Sequence, residues 1–164
     1  MRPIAPAALA FVFLLPIVAQ AQEQEELRIE NPLPGAQVGA GYALSRVHPL
    51  FNERRPHDGI DLIASLGTPV QAAAAGTVEF TGLKIGYGTI VIIDHGAGYI
   101  TRYAHLDSIT VEQGQLITQT QQIGTVGSTG WATYGHLHFE VLFQGVATDP
   151  RPFVAEWLVP PNRN

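Results

Sequence analysis

From Thr68 onward, short apolar or alternating runs recur between glycine-containing turns. The runs are Pro69–Ala73, Gly76–Thr81, Thr89–Asp94, Tyr99–Leu106, Gln122–Val126 and His136–Phe143, and together they are rich in Val, Ile, Thr and Tyr. This spacing predicts an all-β domain of short, mostly antiparallel strands, a compact sheet or sandwich-like unit. Glycines such as Gly82, Gly88, Gly98 and Gly130 punctuate the runs where turns call for positive φ. Long helices are not expected. Pro150, Pro152, Pro160 and Pro161 crowd Phe153–Leu158 and leave space there for one short helical turn at most.

The two ends have a different composition. Residues 1–21 carry a basic start at Arg2, an apolar run from Ala7 to Val18 and the small-x-small sequence Ala19-Gln20-Ala21. That is the layout of a secretory signal peptide, and it predicts export across the inner membrane to the periplasm or beyond. The run is interrupted by Pro16 and is shorter than the roughly 20 residues a bilayer-spanning helix needs, which weighs against a retained anchor. Residues 22–30 contain four glutamates and read as a short acidic leader. Residues 31–158 form the predicted domain, and 159–164 a C-terminal tail.

Setting aside 21 of 164 residues leaves about 143, enough for one domain with its own core. Removing Arg2 leaves 8 basic against 14 acidic residues, so the formal charge moves from −5 to −6. An acidic surface with Lys84 as its single lysine is a poor match for nucleic acid or anionic lipid. With no cysteine in the sequence, neither a disulfide framework nor a lipid on a processed cysteine is available.

Six histidines in a cysteine-free chain direct attention to histidine-carboxylate metal binding. Two groupings stand out: His57-Asp58-Gly59-Ile60-Asp61 and His136-Leu137-His138-Phe139-Glu140. On a strand, His136, His138 and Glu140 share one face while Leu137, Phe139 and Val141 share the other. His57 and Asp61 would sit roughly 13 Å apart on a straight strand, so both reach one ion only if the backbone bends, with Gly59 as the residue that permits it. Three such ligands would leave a fourth position open, as in a catalytic rather than a structural zinc site. Either grouping alone is weak, since an exposed His-x-His is often only a solvated face. Tyr103-Ala104-His105-Leu106 adds another imidazole at a strand end.

The segment from about Arg46 to Pro150 resembles the lysostaphin-type, or LytM-domain, zinc metallopeptidases that act on peptidoglycan peptides. The matching motifs are Arg46-Val47-His48-Pro49, Pro56-His57-Asp58-Gly59-Ile60-Asp61, Gly67-Thr68-Pro69-Val70, Gly76-Thr77-Val78, Gly86-Tyr87-Gly88, Ile93-Asp94-His95-Gly96, Tyr103-Ala104-His105-Leu106, Gly124 to Gly130, and His136-Leu137-His138-Phe139-Glu140. The resemblance implies one zinc held by His57, Asp61 and His138, with His105 and His136 flanking the catalytic water. It also implies a groove walled by long loops, peptidoglycan peptides as substrate and stem-peptide cross-links as the favoured bond. Gly135 stands where the family usually has proline, and Gly41-Tyr42-Ala43-Leu44-Ser45 replaces the usual approach to Arg46.

No His-Glu-x-x-His helix is present, so histidine takes the place of the usual glutamate base. Glu140 either orients a ligand imidazole or is a surface residue; Arg46 and His48 either line the groove or brace its wall. His95 is expected to cap or close its glycine turn. A monomer is the default state, with a regulatory protein partner left open. The rival function is a non-catalytic regulator of other wall hydrolases, which substituted metal ligands would betray; all five site positions are intact. A lipoyl-type carrier would need a lysine at a hairpin tip, and Lys84 lacks the expected neighbours.

Overall fold

The architecture follows from the period-two alternation in strands buried on both sides. In a computed structural model, which describes residues 27–154 and Trp157, the elements are β1 (Gln37–Ala40), β2 (Ala43–Val47), β3 (Arg54–His57), β4 (Ile60–Ile63), β5 (Pro69–Gln71), β6 (Gly76–Lys84), β7 (Gly88–Gly96), β8 (Tyr99–Ile109), β9 (Leu116–Ile117), β10 (Gln122–Val126), β11 (His136–Phe143) and β12 (Val146–Thr148). The predicted signal peptide, residues 22–26 of the leader and the tail 159–164 lie outside the described residues.

Ten strands form one antiparallel sheet with the path β1-β4-β11-β8-β7-β6-β9; β10 joins β5 to β8, and β12 borders β11. The remaining pair, β2 and β3, forms a separate hairpin. The all-β expectation is borne out, and every run predicted from Thr68 onward contains a strand. The four strands before it carry no such signal: Arg54–His57 and Ile60–Ile63 are too short for an apolar period to show.

One face of the sheet makes the core. Ile60 and Leu62 of β4, Leu137, Phe139 and Val141 of β11, and Tyr103 and Leu106 of β8 are all fully buried together. The opposite face of the same strands carries Asp61, His136, His138 and Glu140, themselves at most 6 or 7 % exposed. Beside them Ile90, Ile92 and Ala104 form a second small apolar cluster against Phe80 and Tyr87.

Several details depart from the expectations. Packing begins before Asn31: Ile29 is 5 % exposed, and the Glu30 N–H donates to the Ala73 carbonyl at 2.8 Å. Leu27 and Ile29 alternate inward, which the surrounding glutamates obscured. A 3₁₀ turn at Arg151–Phe153, with proline at its start, precedes the stretch expected to be helical, in which Trp157 is helical and donates from its N–H to the Val154 carbonyl at 3.1 Å. His95 does not close its turn; Asp94 does, accepting from the Gly96 N–H at 2.8 Å. The His95 ring is long enough to reach across and joins the Ala75 carbonyl to the Thr101 hydroxyl, both at 2.7 Å.

Gly59 serves closeness more than bending. The chain does break between β3 and β4, but a Cβ at Gly59 would lie 2.2 Å from the Phe139 carbonyl oxygen and 2.9 Å from Glu140 Cγ. Only glycine lets this link lie on β11. Gly59→Ala is therefore expected to destabilise the fold by about 3 kcal/mol, an overpacking cost. A urea midpoint equal to wild type would show that the β3–β4 link can yield without penalty.

Candidate metal centre

Strand register brings the first two donors together. β4 and β11 pair with Asp61 directly opposite His138, on the face away from the core. On the other side of β11, Ala104 stands opposite His138 and Arg102 opposite Glu140. The small Ala104 leaves clearance beside His138. His57 arrives from the separate hairpin, at the end of β3 where it pairs with Ala43.

Three donor atoms meet at one point: His57 Nε2, Asp61 Oδ1 and His138 Nδ1 are 2.8 to 3.2 Å apart pairwise. Their outer partners set which nitrogen carries the proton. The Gly41 carbonyl accepts from His57 Nδ1 at 2.7 Å, and Glu140 Oε1 accepts from His138 Nε2 at 3.0 Å. Each imidazole then presents a lone pair inward, toward a carboxylate oxygen. Three lone pairs this close repel one another unless a cation or proton lies among them. A tetrahedral ion with bonds of about 2.05 Å has ligand–ligand edges of about 3.3 Å, so the spacing fits a metal of zinc's size.

Charge in the cluster follows from the same contacts. Burial opposes ionisation of Asp61, but the His138 and His57 imidazoles beside it hold its carboxyl far below the usual range. Burial likewise opposes charge on His138, yet the Asp61 and Glu140 carboxylates raise it to about 9. Without an ion, a proton takes the cation's place. Arg46 adds positive charge from outside, with Nη2 3.6 Å from Asp61 Oδ2.

His105 and His136 stand beside these donors, with ring centroids 4.8 Å apart and His105 5.8 Å from His138. His105 donates from Nδ1 to the Thr129 carbonyl at 2.7 Å, and His136 from Nδ1 to the Tyr134 carbonyl at 2.9 Å. Burial, reinforced by repulsion from His138 and His136, pushes His105 down to about 4. His105 also has a positive φ of 61°, rare for a residue with a side chain. The cause is a register shift: between the pairs Val91–Tyr103 and Thr89–Leu106, two residues of β8 oppose one of β7. That bulge lets Tyr103 and Leu106 both face the core while His105 joins the opposite face.

Glu140 is 1 % exposed, so it is an orienting acceptor and not a surface residue; β11 is covered on both sides by β4 and β8. Its carboxylate also accepts from the Tyr87 hydroxyl at 2.9 Å and from Arg102 Nη1 at 3.0 Å. Burial and that carboxylate push the Tyr87 phenol up to about 12. Tyr103 faces the core instead, and Tyr134 packs on His136 with centroids 4.7 Å apart.

Arg46 and His48 both line a groove of about 550 Å³ that also takes in Tyr87, Trp131, Tyr134 and the clustered histidines. His48 packs on Phe51, and Phe51 meets Trp131 edge-on at 4.8 Å, so the β2–β3 hairpin touches the loop before β11. Arg102 and Phe51 were not singled out from the sequence. Position 102 shares a strand face with 104, a signal visible only once β8 is paired with β11.

An all-β sheet thus presents a three-donor cluster that could hold a metal ion, with two further imidazoles beside it, in one groove. The chain belongs to Peptidase family M23, whose profile matches residues 55–150. It is 38 % identical over 123 residues to the peptidoglycan DD-endopeptidase ShyC of Vibrio cholerae, covering 75 % of this chain and 28 % of that protein. The chain thus spans less than a third of the length of that relative. Among solved structures, a zinc-containing peptidase from Vibrio cholerae superposes with a TM-score of 0.69 at 36 % identity, covering 74 % of this chain and 39 % of that one. The catalytic domain of lysostaphin from Staphylococcus simulans superposes with a TM-score of 0.67 at 31 % identity, covering 74 % and 93 %.

The left-handed backbone at His105 carries a prediction of its own. Asn tolerates this conformation and a β-branched residue does not. His105→Val is expected to be less stable than His105→Asn by about 2 kcal/mol, read from denaturant midpoints; equal midpoints would show that the bulge is not held in the left-handed region.

Proposed function

We propose that this chain is a zinc-dependent metalloendopeptidase that hydrolyses peptide bonds in bacterial cell-wall peptidoglycan, with stem-peptide cross-links as the favoured target. The observation that carries the reading is the convergence of three lone pairs, from His57, Asp61 and His138, on the floor of a groove. These three residues hold the ion, and His105 and His136 do the proton work. The names of the relatives, peptidoglycan endopeptidase among them, support the substrate class. The signal-peptide pattern of residues 1–21 supports action outside the cytoplasm.

When bound, zinc supplies Lewis acidity at the scissile carbonyl and lowers the pKa of a neighbouring water. The protein's own groups do the rest. His105 stays neutral near pH 7, and its Nδ1 is tied to Thr129, so Nε2 is the lone pair available to take the proton of the attacking water. His136, tied through Nδ1 to Tyr134, presents Nε2 3.7 Å from Asp61 Oδ1 and takes the complementary part, donating to the developing oxyanion and then to the leaving amine. The rigid carbonyl partners keep both rings from turning as charge moves. The regulator reading requires a missing ligand or imidazole, and none of the five is substituted here.

Elemental analysis of residues 22–164 is expected to find about one zinc per chain, and the protein to release peptides from purified peptidoglycan. His138→Ala should lose both. A wild type that binds no zinc, or binds it and leaves every wall preparation intact, would move the assignment to a regulator.

The proton that stands in for the metal sets a pH dependence. Zinc must displace it from His138, whose pKa in the ion-free site is about 9. Zinc affinity is therefore expected to rise by about tenfold per pH unit from pH 6 toward 9, with about one proton released per ion at pH 7. Competition titrations at several pH values test this; an affinity that does not change with pH would mean His138 is already neutral.

A further inference from the structure

We propose that Arg102 is a positioning residue for the metal centre, acting through Glu140 on the ligand His138 without touching any ligand itself. The inference rests on the zinc reading above and extends it to a residue outside the ligand set.

Glu140 is 1 % exposed and shares its two oxygens among three donors. Oε1 accepts from His138 Nε2 at 3.0 Å and from the Tyr87 hydroxyl at 2.9 Å. Oε2 takes Arg102 Nη1 at 3.0 Å. A carboxylate this deeply buried needs a nearby opposite charge, and among the described residues Arg102 supplies the only guanidinium or ammonium in contact with it. The pair is set by register, Arg102 standing directly opposite Glu140 across β8 and β11. Holding Oε2 leaves Oε1 aimed at His138, which keeps the His138 proton on Nε2 and its lone pair on Nδ1.

Arg102 gives up something to stay there. Its Nε is the one buried side-chain nitrogen or oxygen without a hydrogen-bond partner among the described residues. A side chain serving only the sheet could rotate to satisfy all its donors; this one is held by the carboxylate and the Tyr87 ring, 6.0 Å from its guanidinium. The arrangement is a linear relay of Arg102, Glu140 and His138, with Tyr87 fixing the middle member from the side.

The test compares zinc affinity, by chelator competition, for the wild type, Arg102→Gln, Arg102→Lys, Glu140→Gln and Arg102→Gln/Glu140→Gln. Near-UV circular dichroism of the zinc-free proteins confirms that each is folded. Arg102→Gln should weaken zinc binding by about 10- to 100-fold, the range for an outer partner of a metal ligand, and Arg102→Lys should recover most of it. In the Glu140→Gln background, Arg102→Gln should cost nothing further, because its effect passes through the carboxylate. If Arg102→Gln does not fold, the Lys variant carries the test: binding as weak as that of Glu140→Gln would overturn the proposal. So would wild-type affinity in Arg102→Gln, or a loss that adds in full to that of Glu140→Gln. A wild type that binds no zinc would instead overturn the functional reading on which the relay rests.

Discussion

The pairing of β11 with β4 is the constraint on which the site depends. It places Asp61 opposite His138 on the face away from the core. Because side chains alternate, a slip of β11 by one residue would send His138 into the apolar layer and bring Leu137 out. The register is held by apolar burial on the reverse side: Ile60, Leu62, Leu137, Phe139 and Val141 are fully buried. The chemistry of one face is thus aligned by the hydrophobic effect on the other, and a site of like-charged lone pairs needs no attraction of its own to assemble.

What that face gathers is electrostatically costly. Inward lone pairs from His57 and His138 stand within 3.2 Å of each other and of the Asp61 carboxylate. Fixed acceptors at Gly41 and Glu140 prevent either ring from turning its N–H inward to relieve the repulsion. The outer hydrogen bonds are therefore as much a part of the centre as the three donors. They convert a favourable local choice, a histidine donating to a carbonyl or carboxylate, into demand for a cation at the centre.

The same sheet tolerates one local fault to complete the site. A strict alternation along β8 would turn His105 toward the core, since Tyr103 already faces it. The bulge and the left-handed backbone at His105 reverse that direction after a single residue. Opposite this, the β2–β3 hairpin brings His57 and Arg46 to the site, and the turn within it meets the loop before β11 where Phe51 packs edge-on against Trp131.

Much of this was legible from the residues alone. Alternation marked the strands after Thr68, and His136-x-His138 on an apolar strand marked one half of the site; the motif series pointed to the other half and to the family. The strands before Thr68, the packing of Ile29 and the bridging role of His95 were not legible, because short or charged segments take their conformation from neighbours distant in sequence. Composition and spacing establish which side chains can share a face, since that depends on backbone geometry within one strand. Which faces meet is different: the 2.8 Å approach of Asp61 to His138, the burial of Glu140 against Arg102 and the need for glycine at position 59 are set by contacts between strands. Those contacts form only when burial of the common core fixes the strand register, and tertiary structure alone decides them.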